Sequence, residues 1–124
     1  MTVMRSAAIL AAGIALGVAA TLAAQTAPAT SRREPQFENA TAKSWKSIIL
    51  PKQPLSFHRH DHARAIIALK SGTLDLVRRN GESHPQVWEA GKAYWYEADP
   101  PGTEHADVNN GTEPMEVIVV EFEK

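Results

Sequence analysis

No cysteine occurs among the 124 residues of this chain. That excludes a disulfide framework and lipid attachment at a cysteine. Long basic runs are missing too: Arg32-Arg33 and Arg78-Arg79 are only pairs, and the formal net charge is −1. Nucleic-acid binding therefore has no electrostatic support. No internal repeat of about 20 to 50 residues is present. After the N-terminal segment no convincing helix can be drawn, because prolines and turn residues interrupt every candidate. The chain is long enough for one domain and too short for two.

The first charged residue, Arg5, is followed by an uncharged run from Ala7 to Ala24 dominated by Ala, Gly and Leu. A basic start, an apolar run and a small-residue exit describe a secretory signal peptide. Ala24 before Gln25 is the favoured cleavage point, with Ala20 and Ala29 as alternatives. An uncleaved membrane anchor is the competing reading, since about 17 apolar residues can span a bilayer. The Ala and Gly content makes this run weakly hydrophobic for a span, so residues 1–24 read as a signal peptide and the protein as periplasmic or secreted. A membrane partner is expected only if the segment stays uncleaved. Residues 25–42 read as a flexible lead-in, poor in apolar residues, and residues 43–124 as the folded domain. In an oxidising compartment without disulfides, such a domain must draw its stability from a packed core, a metal or oligomerisation.

From Trp45 onward the pattern is that of strands. Ser47-Ile48-Ile49-Leu50 is stopped by Pro51 and Pro54. Ala65 to Leu69 is apolar without a break, as in a strand covered on both faces. Thr73 to Arg78 alternates polar with apolar, and Asn80-Gly81 is a strong hairpin signal. Gln86-Val87-Trp88, Ala93 to Tyr96, His105 to Val108 and Met115 to Phe122 follow, with turns at Gly91-Lys92 and Asn110-Gly111. Short strands at this spacing predict an all-β sandwich or barrel.

The chemistry lies in the histidines. Of five, three alternate as His58, His60 and His62, and a fourth, His105, follows Pro100-Pro101-Gly102-Thr103-Glu104. In an extended strand alternate side chains share a face, so His58 and His60 would offer two imidazole nitrogens from one strand. His105 would approach from a strand alongside, behind a turn set by Pro100 and Gly102. Three protein nitrogens leave coordination positions open for water or substrate. His84, after the Asn80-Gly81 turn, reads as inert.

Two stretches resemble the motifs of the cupin superfamily. The first motif runs His-x-His, three or four residues, Glu, six residues, Gly. With Gly72 as its glycine, the histidines are His58 and His60, and His62 falls outside the pair. The second contains Pro-x-Gly-x-x-His-x-x-x-Asn, and Pro100 to Asn109 matches every fixed position. The loop before Pro100 is longer than the family's usual one. The resemblance spans about Pro51 to Glu123 and implies a single-domain cupin, a jelly-roll β-barrel, with a divalent metal on His58, His60 and His105. It also implies a homodimer. One departure stands out: Arg64 and Ala65 occupy the place of the family's glutamate. Losing that negative ligand disfavours Mn²⁺ and favours imidazole-binding metals such as Fe, Zn, Cu or Ni.

Around this set, His62, Tyr96, Glu97 and Glu104 are candidates for a further ligand or an outer partner, and Arg64 for holding an anionic substrate. Alternation sends Tyr94 and Tyr96 to one face of their strand and Trp95 to the other, with Trp88 and Trp95 assigned to core packing and a dimer face. Two functions stay open. One is a metal-dependent oxygenase or isomerase acting on a small organic substrate; the other is a non-catalytic metal or small-molecule binder serving as sensor or carrier.

Overall fold

Eight strands follow one another without a helix in the computed structural model, which describes residues 29–123. They are β1 (Arg32–Glu38), β2 (Ala42–Ile49), β3 (Arg64–Ala68), β4 (Gly72–Arg78), β5 (Ser83–Trp88), β6 (Ala93–Tyr96), β7 (His105–Val108) and β8 (Met115–Phe122). The expected turns form. Gly81 takes φ 93°, a conformation open to glycine at little cost, and closes the β4–β5 hairpin. Two antiparallel sheets result, one in the order β1-β2-β8-β3-β6 and one in the order β5-β4-β7. The expected signal segment, residues 1–24, lies outside the described residues.

Burial alternates along β8, where Met115, Val117 and Val119 point inward between half-buried neighbours. They meet Trp45, Ile49, Ile66, Ala68, Leu74 and Trp88 in one apolar core. Leu74 is fully buried, and burying such a side chain is worth about 1.5–3 kcal/mol. Gly72 is small because Met115 crosses it closely: a Cβ there would lie 2.5 Å from the thioether sulfur. Asn109, 1 % exposed, donates to the carbonyls of Ile49 and Glu113 and accepts from Gly111 N–H, so its role is to pin the turn before β8.

Two expectations about strands need correction. The lead-in is not structureless: Arg32–Glu38 pairs antiparallel with β2, and Asn39 closes the hairpin by accepting from Thr41 and Ala42 N–H. As an edge strand, β1 needs no apolar alternation. It also tolerates Pro35, which lacks an N–H and sits beside a register shift. β3 is not covered on both faces. Arg64, Ile66 and Ala68 are buried while Ala65 and Ile67 are half-buried, as in a sheet with one face on the core.

Candidate metal centre

The segment carrying His58, His60 and His62 is not a regular strand. Only His58 pairs, in an isolated bridge with His105, exchanging N–H···O bonds of 2.9 and 2.8 Å. Irregularity has a cause: Asp99 grips the chain at His60. The Asp99 carboxylate accepts from His60 N–H at 2.7 Å, and Asp99 N–H donates to His60 carbonyl at 2.8 Å. Arg59 turns outward to Asp61 (2.6 Å) and to the Pro100 carbonyl (3.0 Å), fastening the same loop to the turn before β7. In that turn Gly102 has φ 75° and Thr103 bonds back to Pro100 carbonyl.

These constraints bring His58, His60 and His105 together, with one ligand nitrogen from each lying within 4.8 Å of the others. Ring centroids are 5.0 Å apart for His58–His60, 4.6 Å for His58–His105 and 5.5 Å for His60–His105. Each Nδ1 faces an oxygen acceptor: Ser56 carbonyl at 2.8 Å for His58, the Glu121 carboxylate at 3.5 Å for His60, and the Asp99 carboxylate at 3.4 Å for His105. The short bond to Ser56 carbonyl orients the His58 imidazole and leaves its other nitrogen for an ion, while the two carboxylates stand at longer range behind His60 and His105. Burial, reinforced by Arg64 and by the other two histidines, lowers the His60 pKa to about 2. His105 is lowered as well, by burial against the opposing pull of Asp107. Converging imidazoles, two of them buried, fit a divalent transition ion. Trp45 stacks on His60 with ring centroids 6.1 Å apart.

The other sequence candidates fall in different places. His62 is not in the cluster. The Tyr96 hydroxyl is engaged by Trp88 and Gln86, each at 2.8 Å, although its ring forms part of the cavity wall. The Glu97 carboxylate accepts from Trp95, and Glu104 pairs with Arg79 at the surface, so neither reaches the histidines. His84 is exposed beside Glu82. Tyr94 and Tyr96 pack on the core and Trp88 lies in it, while Trp95 is 59 % exposed against Phe122.

Arg64 fills the place of the missing acid. β3 pairs Arg64 with Glu121 on one side and Tyr96 on the other, and its side chain enters the cavity wall, 4 % exposed. Its guanidinium lies 5.3 Å over the Tyr96 ring, donates to Glu97 carbonyl and stands 3.6 Å from the Asp99 carboxylate. Sequence reasoning missed Asp99, Asp107, Glu121 and Arg33. Asp107 had a signal, since it follows His105 by two on one strand, and it ends 3.9 Å from His58 Nε2. Glu121 and Arg33 reach the site only through strand pairing.

Known proteins agree with this architecture. The family model described as "Cupin domain" matches residues 46–121. The chain belongs to the cupin family. A cupin domain from Bordetella pertussis Tohama I superposes with a TM-score of 0.68 at 19 % identity, covering 80 % of this chain and 99 % of its own. A double-stranded β-helix protein from Klebsiella pneumoniae gives 0.56 at 23 % identity, covering 76 % and 79 %. An RmlC-like cupin from Methanocaldococcus jannaschii gives 0.59 at 14 %, covering 78 % and 84 %. At these identities the likeness speaks for the fold alone. No curated protein matches the chain.

Proposed function

We propose that this cupin binds one divalent transition ion through His58, His60 and His105 and handles a small molecule beside it. The observation that carries the reading is the convergence of the three imidazoles, one nitrogen from each within 4.8 Å of the others. Such an ion would supply Lewis-acid polarisation or a site for O₂. The chain's own residues position the rings, with Trp45 stacked on His60, and set the charge with Arg64. Purified untagged protein should carry close to one ion per chain by metal analysis, and His60→Ala/His105→Ala should carry none. Stoichiometric metal in that double variant would remove the assignment.

A second reading, a metal-dependent sensor or carrier without turnover, draws on the cavity itself. It measures only about 30 Å³, room for about two waters at the ~10–15 Å³ each requires. Of the acid–base candidates read from the sequence, the Tyr96 hydroxyl is engaged and Glu97 and Glu104 are turned away, which leaves Asp107 on the cavity wall, 3.9 Å from His58 Nε2. O₂ consumption by the iron-loaded protein with added substrate would favour the enzyme, and ion binding without turnover the carrier. We further propose export with cleavage before Gln25 and pairing of two copies. Mature protein beginning at Met1, or a monomer at high concentration in light scattering, would contradict these in turn.

A further inference from the structure

Arg64 carries a feature that its structural contacts leave unexplained. Its Nε is buried with no hydrogen-bond partner among protein atoms, and a buried unsatisfied donor costs about 1–3 kcal/mol. Nη1 is used by the Glu97 carbonyl, and Nη2 has only the loose 3.6 Å approach of Asp99. The Nε–Nη2 edge of a guanidinium is a planar fork matched to the two oxygens of a carboxylate.

Charge points the same way. Around the histidines stand two guanidinium groups, Arg33 and Arg64, and three carboxylates, Asp99, Asp107 and Glu121. The formal charges of these five side chains leave one negative in excess, and a divalent ion on the imidazoles turns the balance to one positive. A monoanion then neutralises the site. Arg33, on exposed strand β1, lines the same cavity; its guanidinium lies 4.9 Å over the Trp45 ring and is held by no ion pair among the described residues. Arg33 and Trp45 also border an outer groove of about 390 Å³, walled further by Pro35, Phe37 and Lys43.

We infer that the metal-loaded site takes a small monocarboxylate: its two head-group oxygens take the room the cavity has for about two waters, against the Nε–Nη2 edge of Arg64, and its tail passes Arg33 and Trp45 to lie in the outer groove. This rests on the metal reading, so zinc content is measured first in every sample. Zinc-loaded protein is then titrated calorimetrically with acetate, benzoate, benzamide and inorganic phosphate. Acetate and benzoate should bind, benzoate more tightly, with benzamide and phosphate at least tenfold weaker. Arg64→Lys and Arg64→Gln should each keep one zinc and weaken benzoate about tenfold or more, because lysine restores charge but not the fork. Arg33→Gln, on the exposed strand, should weaken benzoate severalfold and serves as the variant if Arg64 changes unfold the domain. Zinc-loaded wild type that binds no carboxylate, binds benzamide equally, or prefers phosphate overturns the inference and leaves the metal site standing. Absence of zinc binding overturns both.

Discussion

The two ends of one barrel are built by opposite rules. At the Leu74 and Met115 end, burial is apolar and each group is satisfied by contact, down to a glycine that makes room for a methionine sulfur. At the histidine end the barrel buries Arg64, His60 and His105, groups that packing alone does not favour in a core. Every carboxylate there holds an imidazole or a guanidinium, and one guanidinium nitrogen is left without a partner. The difference teaches where the fold is made and where function is carried. The apolar end supplies the stability that a charged cavity consumes.

The contrast can be broken most strongly at the apolar end. Leu74→Ala should destabilise the domain by about 2–5 kcal/mol in urea unfolding, while the folded fraction keeps its metal. If Leu74→Ala abolishes metal binding in folded protein, the two ends are not separable. At the other end, metal should stabilise by mass action. Free ion at about 100 times its dissociation constant adds about 2.7 kcal/mol, lost on chelation and never gained by His60→Ala/His105→Ala.

A subtler effect follows from the depressed histidines in metal-free protein. Above pH 6.5 His60 is neutral folded and unfolded, and contributes no slope. Below 6.5 the unfolded chain takes a proton that the folded state refuses until about pH 2. Stability therefore falls as pH falls, by up to about 1.4 kcal/mol per pH unit for each such histidine. His105, also lowered, adds in the same sense. Glu121, raised mainly by burial, acts in the opposite sense above its ordinary 4.5, where the folded carboxyl still holds a proton. Two histidines against one carboxyl leave stability rising from pH 5 to 6.5 in urea titrations, and a flat profile would contradict the buried neutral imidazoles. Smallest of all should be Glu104→Ala. Its pairing with Arg79 is exposed, so a change under about 1 kcal/mol is expected, with metal content untouched. Loss of metal in Glu104→Ala would restore it as a ligand candidate.

Much of the fold was legible because its signals are local. Asn80-Gly81 needs no partner to announce a hairpin, and alternation in Thr73 to Arg78 names an inward face before that face has anything to meet. β1 was not legible: an edge strand buries too little to carry a pattern, so Arg32–Glu38 resembled a linker. Ala65 to Leu69 misled for the reverse reason, since Ala65 and Ile67 are apolar on an only half-buried face. At the site, His-x-His and the Pro-x-Gly-x-x-His turn placed three histidines as candidates, yet the extended strand drawn for the first pair is a loop gripped by Asp99.

The sequence by itself determined the class of the protein and the atoms available to it. Turn residues, alternation and the two spaced motifs are local instructions, readable in one dimension. Only the tertiary structure decided the electrostatics of the centre. Strand pairing sets Arg64 against Glu121, β1 delivers Arg33 from 25 positions before His58, and burial then holds His60 neutral. Charge and desolvation depend on distance through space, and distance along the chain does not encode them.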